Sequence, residues 1–109
     1  MTGRYADSGV VVIPERLDVG TSAEVRRLLH EGLDHCVGDL RVDVADLEVI
    51  DAAGLGVLVG ARRRADLVGV RVVLIDVPPR LHRLLAVTRL SRLFHYESIV
   101  LPESTITSA

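Results

Sequence analysis

Residues 49–59 read VIDAAGLGVLV, and this stretch decides the fold. Two apolar residues lead into Asp51, and two alanines and Gly54-Leu55-Gly56 then open an apolar helical pattern that continues to about Val68. The order predicts a strand end, a tight loop and the exposed N-terminus of a helix. Small residues let another molecule approach the backbone, and the free N–H groups of a helix N-terminus favour an anion or a hydrogen-bond acceptor. We expect the functional site of the protein at this loop.

The composition is that of a small protein with one aliphatic core. The chain has 109 residues, of which 49% are hydrophobic and only 3% aromatic, and this is enough for a single domain. No apolar run is long enough to cross a membrane, the N-terminus lacks the apolar segment of a signal peptide, and Cys36 has no second cysteine for a disulfide. These features favour a cytoplasmic protein without membrane insertion. A net charge of −2 with so few aromatic residues argues against a nucleic-acid partner.

Strands and helices alternate along the chain. Apolar and β-branched runs predict strands over residues 2–6, 10–13, 40–44, 70–77 and 95–101. Helices are predicted over 22–36, over 53–68 and after Pro78-Pro79, with a short extra turn over 88–94. We therefore predict one α/β domain over residues 1–109, with a central mixed, mostly parallel sheet of four to five strands and three to four helices. About residues 1–7 and 102–109 are expected to fray.

Two details of the helices lead to local predictions. Thr21 and Glu24 have the spacing of a capping box at the start of the first helix. In the second helix, an arc of about 100° is expected to face the core; it holds Val57, Leu58, Ala61, Ala65 and Val68. Leu55 and Val59 lie on the other side, where they either tuck under a neighbouring loop or form an exposed apolar patch for a partner, and we favour the patch. The run Arg62-Arg63-Arg64 predicts a solvated face.

The central stretch and its surroundings resemble a known family. Asp51 with Gly54-Leu55-Gly56, after the strand around Val42-Asp43-Val44, is similar to the motif of the STAS domain, in which Asp-Ser-Ser/Thr-Gly-Leu-Gly opens a helix. Leu17-Asp18 with Thr21 resembles the segment before the first helix of that domain, and residues 79–81 and 88–94 resemble its third helix and the following segment. The resemblance spans nearly the whole chain. It implies a STAS-like fold, which is the fold of bacterial anti-sigma factor antagonists.

The resemblance also implies a function. Members of this family bind an anti-sigma factor, usually a serine kinase with an ATP-binding fold, and so free a sigma factor and regulate transcription. The residues we expect to bind the partner are Asp18, Thr21, Asp51, Ala52, Ala53, Gly54, Leu55, Gly56 and Val59. The kinase inactivates the antagonist by phosphorylating the second Ser/Thr of the motif, which matches Ala53 here. We therefore expect no phosphorylation at that position, and an antagonist that is constitutively competent to bind, or regulated elsewhere, or a decoy.

Enzymatic chemistry finds little support in the sequence. Asp18 and Asp51 could form a carboxylate pair, but no histidine or nucleophile is placed to join them. The glycines at the central stretch lack the third member of a dinucleotide motif, because Val59 stands in its place. The histidines lack ligand spacing, and Cys36 lies on the apolar stripe of the first helix, which predicts a buried, inert thiol. We expect no enzyme activity, no cofactor and no metal.

Two other functions stay open. The protein could be the STAS subunit of a membrane lipid-transport ABC complex, in which the domain docks on an ATPase. It could also be a signalling scaffold component that self-associates, and a weak homodimer is compatible with that role. Neighbouring genes would separate the first alternative from an antagonist, and the molecular mass in solution would expose the second.

Overall fold

The computed structural model describes residues 4–5 and 9–98, with side chains from residue 9 onward. This part of the chain forms seven short strands and three α-helices. The strands are β1 (Arg4–Tyr5), β2 (Val10–Val12), β3 (Arg16–Leu17), β4 (Leu40–Asp43), β5 (Val49–Ile50), β6 (Val72–Ile75) and β7 (His95–Glu97). The helices are α1 (Ser22–His35), α2 (Ala52–Leu67) and α3 (Pro79–Val87), and a 3-10 helix spans Ser91–Leu93.

Five strands form the main sheet, in the order β1-β2-β4-β6-β7. β1 is antiparallel to β2, and all other neighbours are parallel. The predicted α/β fold with a mixed, mostly parallel sheet is therefore confirmed. Each α-helix carries the chain from one parallel strand to its next neighbour, always in the same direction across the sheet. Because such crossovers are right-handed, all three helices lie on one face.

The strand β6 lies in the middle of the core. All residues of Val72–Ile75 are buried, as a continuous apolar run predicts for an inner parallel strand. Alternate residues of a strand point to opposite faces of the sheet. Val72 and Leu74 therefore pack under the helices, while Val73 and Ile75 point to the other face. There, Arg41 of β4 pairs with Glu97 of β7 across β6. The ion pair lies over apolar side chains on the sheet face opposite the three described α-helices.

The predicted elements are present with somewhat different bounds. The strands predicted over 10–13, 40–44 and 70–77 extend beyond the observed ones, and the helices predicted over 22–36 and 53–68 lie within one residue of α1 and α2 at each end. Pro79 is the first residue of α3, as predicted. Of the predicted edge strands, residues 2–3, 6 and 99–101 lie outside the described residues, as do most of the ends expected to fray. The strand end predicted before Asp51 is β5, whereas β3 and its pairing with β5 are not predicted from the sequence.

Three predictions on side-chain burial need correction. Val68 is 64% exposed, so its predicted place on the core-facing stripe is wrong. The reason is that α2 ends at Leu67, and the backbone of Val68 is no longer helical. Arg62 is half-buried, since its Nε donates a hydrogen bond to the carbonyl oxygen of Leu93 at 3.0 Å. The solvated arginine face is thus limited to Arg63-Arg64. Cys36 is half-buried rather than buried, although desolvation still raises the pKa of its thiol.

Candidate functional site

The small sheet brings two distant loops together. β3 and β5 pair in parallel, with Leu17 opposite Ile50. Asp18 and Asp51 directly follow these two strands. Because the carboxyl ends of neighbouring parallel strands lie at the same edge, the two aspartates become neighbours. The structure therefore places the predicted site residues that precede α1 beside those that open α2.

Asp51 holds this junction together. Its Oδ1 accepts a hydrogen bond from the Gly54 N–H at 2.8 Å, which caps α2, and its Oδ2 accepts one from the Val19 N–H at 3.1 Å. The hydrogen bond from Gly54 is the main cause that holds the pKa of the Asp51 carboxyl below its usual value; Val19 adds to it and desolvation opposes it. The carboxylate is engaged by N–H groups of its own chain. Asp51 therefore caps α2 and ties it to the loop before α1.

Asp18 and Thr21 shape the loop before α1. The Oδ1 of Asp18 accepts a hydrogen bond from the Gly20 N–H at 2.9 Å, and its Oδ2 lies 3.1 Å from Nε of Arg16. The Thr21 hydroxyl donates to the carbonyl oxygen of Arg16 and accepts from the Asp18 N–H, each at 3.0 Å. Thr21 makes no side-chain bond to the first turn of α1, so the predicted capping box is wrong. Its backbone is already helical, with φ −114° and ψ −8°, and its side chain turns back into the loop.

Gly54 is required by the packing of the chain against itself. It is buried, and a Cβ atom at this position would lie 2.0 Å from the carbonyl oxygen of Leu17. That oxygen also accepts a hydrogen bond from the Asp51 N–H at 3.3 Å, so it is held in place by the small sheet. The sequence predicts that the small side of Gly54 lets a partner come close to the backbone. In the structure the backbone of β3 already lies in that space. Gly56 is different, because it is exposed and has no atom within 4 Å of an added Cβ.

The accessible surface beside the charged Asp51 consists of small or apolar residues. Ala52 and Ala53 are exposed in the first turn of α2, and Gly56 follows them. Val19 is 78% exposed and is tied to the start of α2 through its N–H bond to Asp51. We call Val19, Ala52, Ala53 and Gly56 the α2 N-terminal surface. Val19 is not among the residues predicted to bind a partner, although an apolar residue between Asp18 and Gly20 in a polar loop is a signal for an exposed contact.

Leu55 and Val59 are less accessible than the predicted apolar patch requires. Both are half-buried, and Leu55 packs against the core cluster. Part of each side chain therefore faces the core or its neighbours, and only the remainder borders the α2 N-terminal surface. Any contact that these two residues make with a partner would lie at the edge of the surface rather than at its centre.

The Asp51 tie leads to a prediction on pH dependence. In the folded state its pKa lies below the unfolded value of about 3.9, so the charged form stabilises the fold at neutral pH, and this contribution is lost as the pH falls through the folded-state pKa. Asp51→Asn keeps the size of the side chain but removes the charge. Between about pH 5 and about pH 2, we expect the melting temperature of the wild type to fall more steeply than that of Asp51→Asn. Thermal unfolding followed by circular dichroism measures this, and parallel curves would contradict the assignment.

Metal and membrane features complete the description of the site. Among the residues that the structure describes, no three His, Cys, Asp or Glu side chains are grouped to hold a metal ion. None of the described helices combines the length and the apolar character needed to cross a bilayer. The histidines and the cysteine are therefore not part of the candidate site, which consists of backbone, small side chains and the two aspartates.

Comparison with solved structures places this fold among known proteins. An anti-sigma-factor antagonist (STAS) domain protein from Planctomyces limnophilus superposes with a TM-score of 0.77 at 15% identity, over 99% of this chain and 97% of that one. The Bacillus cell fate determinant SpoIIAA in its phosphorylated form gives 0.63 at 18% identity, over 91% and 87%. The murine anion transporter Slc26a9 gives 0.64 at 16% identity, over 81% of this chain but only 16% of the transporter. At these identities the likeness concerns the fold.

Sequence comparison then identifies the family. A search of curated proteins gives no match. The family model of the STAS domain, in contrast, matches residues 3–103. This match includes both aspartate loops, α2 and the whole of the main sheet. Since it extends over nearly the whole chain, the protein belongs to the STAS domain family.

Proposed function

We propose that this protein is an anti-sigma factor antagonist that works by protein–protein recognition in the cytoplasm and catalyses no reaction. The observation that carries the proposal is the α2 N-terminal surface, which is an exposed, uncharged patch of small residues at the start of α2 in a STAS fold. In this proposal the surface contacts an anti-sigma factor, and the contact releases a sigma factor. The fold of the antagonist domain protein from Planctomyces limnophilus, matched over 97% of that chain, supports the proposal.

The geometry suits recognition because the surface is organised before any partner binds. Asp51 fixes the start of α2 and the adjacent loop at once, through Gly54 and Val19. Asp18 and Thr21 hold the other end of that loop through backbone hydrogen bonds. A surface that is already ordered loses less conformational entropy on binding, which favours affinity. In the proposed complex these aspartates are therefore positioning residues, and Ala52, Ala53 and Gly56 let the partner approach the backbone.

The proposed regulation follows from Ala53. A phosphoryl group at this position would add about −1.5 to −2 charges at pH 7 in the middle of the α2 N-terminal surface. Alanine has no hydroxyl to accept it, so the surface stays neutral and small. One protein of the same fold, SpoIIAA, has been solved in a phosphorylated form. We propose that the present protein binds an anti-sigma factor of the serine-kinase type but is not switched by that kinase at Ala53.

A second candidate function rests on the transporter match. STAS folds also occur within the anion transporter Slc26a9, so a domain of this kind can belong to a membrane transport assembly. The corresponding proposal for this protein is a subunit that docks on the ATPase of a lipid-transport ABC complex. Self-association into a signalling scaffold is the third proposal, and it predicts a mass above that of the monomer at micromolar concentration.

Affinity capture tests these proposals together. The purified wild-type protein is used as bait in lysate of the source organism, and bound proteins are identified by mass spectrometry. Capture of an ATP-binding anti-sigma factor supports the antagonist. Capture of a transporter ATPase overturns it in favour of the second candidate, and recovery of further copies of this chain alone favours the scaffold.

A further inference from the structure

A concave feature lies between α1 and α2. It is a cleft of about 130 Å³ lined by Arg26 and His30 of α1 and by Gly60 and Arg64 of α2, among others. Its apolar walls come from Leu29, Val57 and Ala61. Gly60 leaves the cleft open, because an added Cβ would meet no atom within 4 Å. The cleft is therefore small, bordered by two helices and lined by polar groups of one sign.

The three basic side chains converge on the cleft because of helical spacing. Arg26 and His30 are four residues apart on α1, and Gly60 and Arg64 are four residues apart on α2, so each pair lies on one helix face. These faces meet where the two helices pack side by side. The arrangement needs both helices, and no local stretch of the sequence contains it.

The two arginines of the cleft differ from neighbouring arginines because they form no ion pair with an acidic side chain among the described residues. Arg27 pairs with Glu24 and Glu31, and Arg62 pairs with Asp66. Within the described part of the chain, Arg26 and Arg64 have neither an ion pair nor a side-chain hydrogen bond. Two guanidinium groups that border the same cleft therefore keep their donors available, and a guanidinium fork matches the geometry of phosphate oxygens.

The electrostatics of His30 agree with this arrangement. Burial lowers the pKa of His30, and the positive charges of Arg64 and Arg26 lower it further, while Asp34 opposes them. Like charges that are held close together destabilise one another, and Asp34 offsets this repulsion only in part. An anion in the cleft would remove this repulsion and would stabilise a protonated His30 as a third donor.

We propose that the cleft between α1 and α2 binds a phosphate group, either free phosphate or a phosphate monoester, through Arg26, Arg64 and His30. The ligand bridges the two helices. Arg64 lies eleven residues after Ala53 on the same helix, roughly 16 Å along the helix axis, whereas Val57 in the near wall of the cleft directly follows Gly56. Arg64 is therefore about three helical turns from Ala53, while the near wall of the cleft adjoins the α2 N-terminal surface.

Nuclear magnetic resonance titration of the ¹⁵N-labelled protein tests the site. Inorganic phosphate is added at constant ionic strength, balanced with chloride. We expect saturable shifts of backbone amides around residues 26–30 and 60–64. Because a charge-assisted hydrogen bond to an arginine is lost, Arg26→Gln and Arg64→Gln should each weaken binding by about tenfold or more. Arg63→Gln makes the same change in net charge at an exposed residue outside the cleft, and its affinity should stay within about twofold of the wild type.

A second measurement separates a built site from general attraction to basic residues. Sulfate, which does not titrate near neutral pH, is used while the imidazole resonances of His30 are followed against pH. The groups that face His30 are Arg26 and Asp34 on its own helix and Arg64 on α2. Bound sulfate adds negative charge beside them, so we expect the pKa of His30 to rise in the wild type and to rise less in Arg64→Gln.

The outcomes distinguish free phosphate from a phosphate monoester as the ligand, and a specific site from the absence of one. Saturable binding of phosphate alone identifies free phosphate, and binding of both phosphate and phosphoserine identifies a phosphate monoester; either result supports the site. Shifts that do not saturate, an equal loss of affinity in Arg63→Gln, or a pKa of His30 that sulfate leaves unchanged would each overturn it. The three arginine variants change polar side chains at the surface, and their melting temperatures verify that the fold is kept.

Discussion

Gly54→Ala is expected to destabilise the protein by about 3 kcal/mol or more. The new Cβ would lie 2.0 Å from the carbonyl oxygen of Leu17, 2.7 Å from its carbonyl carbon and 2.9 Å from its Cγ. The oxygen cannot swing aside without loss of the hydrogen bond that it accepts from Asp51. Relief of the clash therefore has to move α2 away from β3, and this motion also lengthens the bond from the Gly54 N–H to Asp51 that caps the helix.

Gly56→Ala is the matched control for this prediction. The two glycines lie two residues apart in the first turns of α2, and the substitution adds the same single methyl group. At Gly56 the methyl group meets no atom within 4 Å. Because alanine has the higher helix propensity, Gly56→Ala should stabilise the protein by about 0.5–1 kcal/mol. Urea denaturation of the three proteins measures both effects, and equal free energies of unfolding for the two variants would contradict the role assigned to Gly54.

The same glycine shows why the sequence predicts the site only in part. Asp51 and Gly54 are recognisable because a strand end, an acid and small residues precede a helical stripe. The partner of Gly54 is not recognisable, because it is the backbone of Leu17 in a two-residue strand. So short a strand has no alternation of apolar and polar residues that a sequence pattern could detect. The sequence therefore predicts that Gly54 lets another molecule contact the backbone, whereas in the structure Gly54 contacts β3 of the same chain.

Elements with a long apolar pattern were predicted well, and for a physical reason. The run around Val72–Ile75 is apolar on both faces, which is typical of an inner parallel strand, and a proline within a helix is best tolerated in the first turn, where Pro79 stands. In contrast, the burial of Arg62 depends on the carbonyl oxygen of Leu93, which is distant in the sequence. The cleft between α1 and α2 likewise arises from the packing of two helices. Tertiary contacts of single polar side chains leave no periodic signal.

Ala53→Glu is expected to keep the fold and to lose the partner. Ala53 is exposed, so the longer side chain extends into solvent in the free protein. A carboxylate in the first turn of a helix interacts favourably with the helix dipole, by about 0.3–1 kcal/mol, and the melting temperature should not fall. In the proposed complex, however, the charge would be buried at the centre of the α2 N-terminal surface without a counter-charge. The cost of desolvation should weaken binding to the captured anti-sigma factor by about 30-fold or more.

Leu67→Glu provides the control because it adds the same charge to the same helix. Leu67 is 85% exposed and lies fourteen residues after Ala53, roughly 21 Å along the helix axis. Its effect on the affinity for the anti-sigma factor, measured by isothermal titration calorimetry, should stay within about twofold. Net charge is thereby held constant between the two variants, and only the position of the charge differs. Equal affinities would place the contact elsewhere on the protein, whereas a loss confined to Ala53→Glu means that the neutral residue at this position keeps the surface open to its partner.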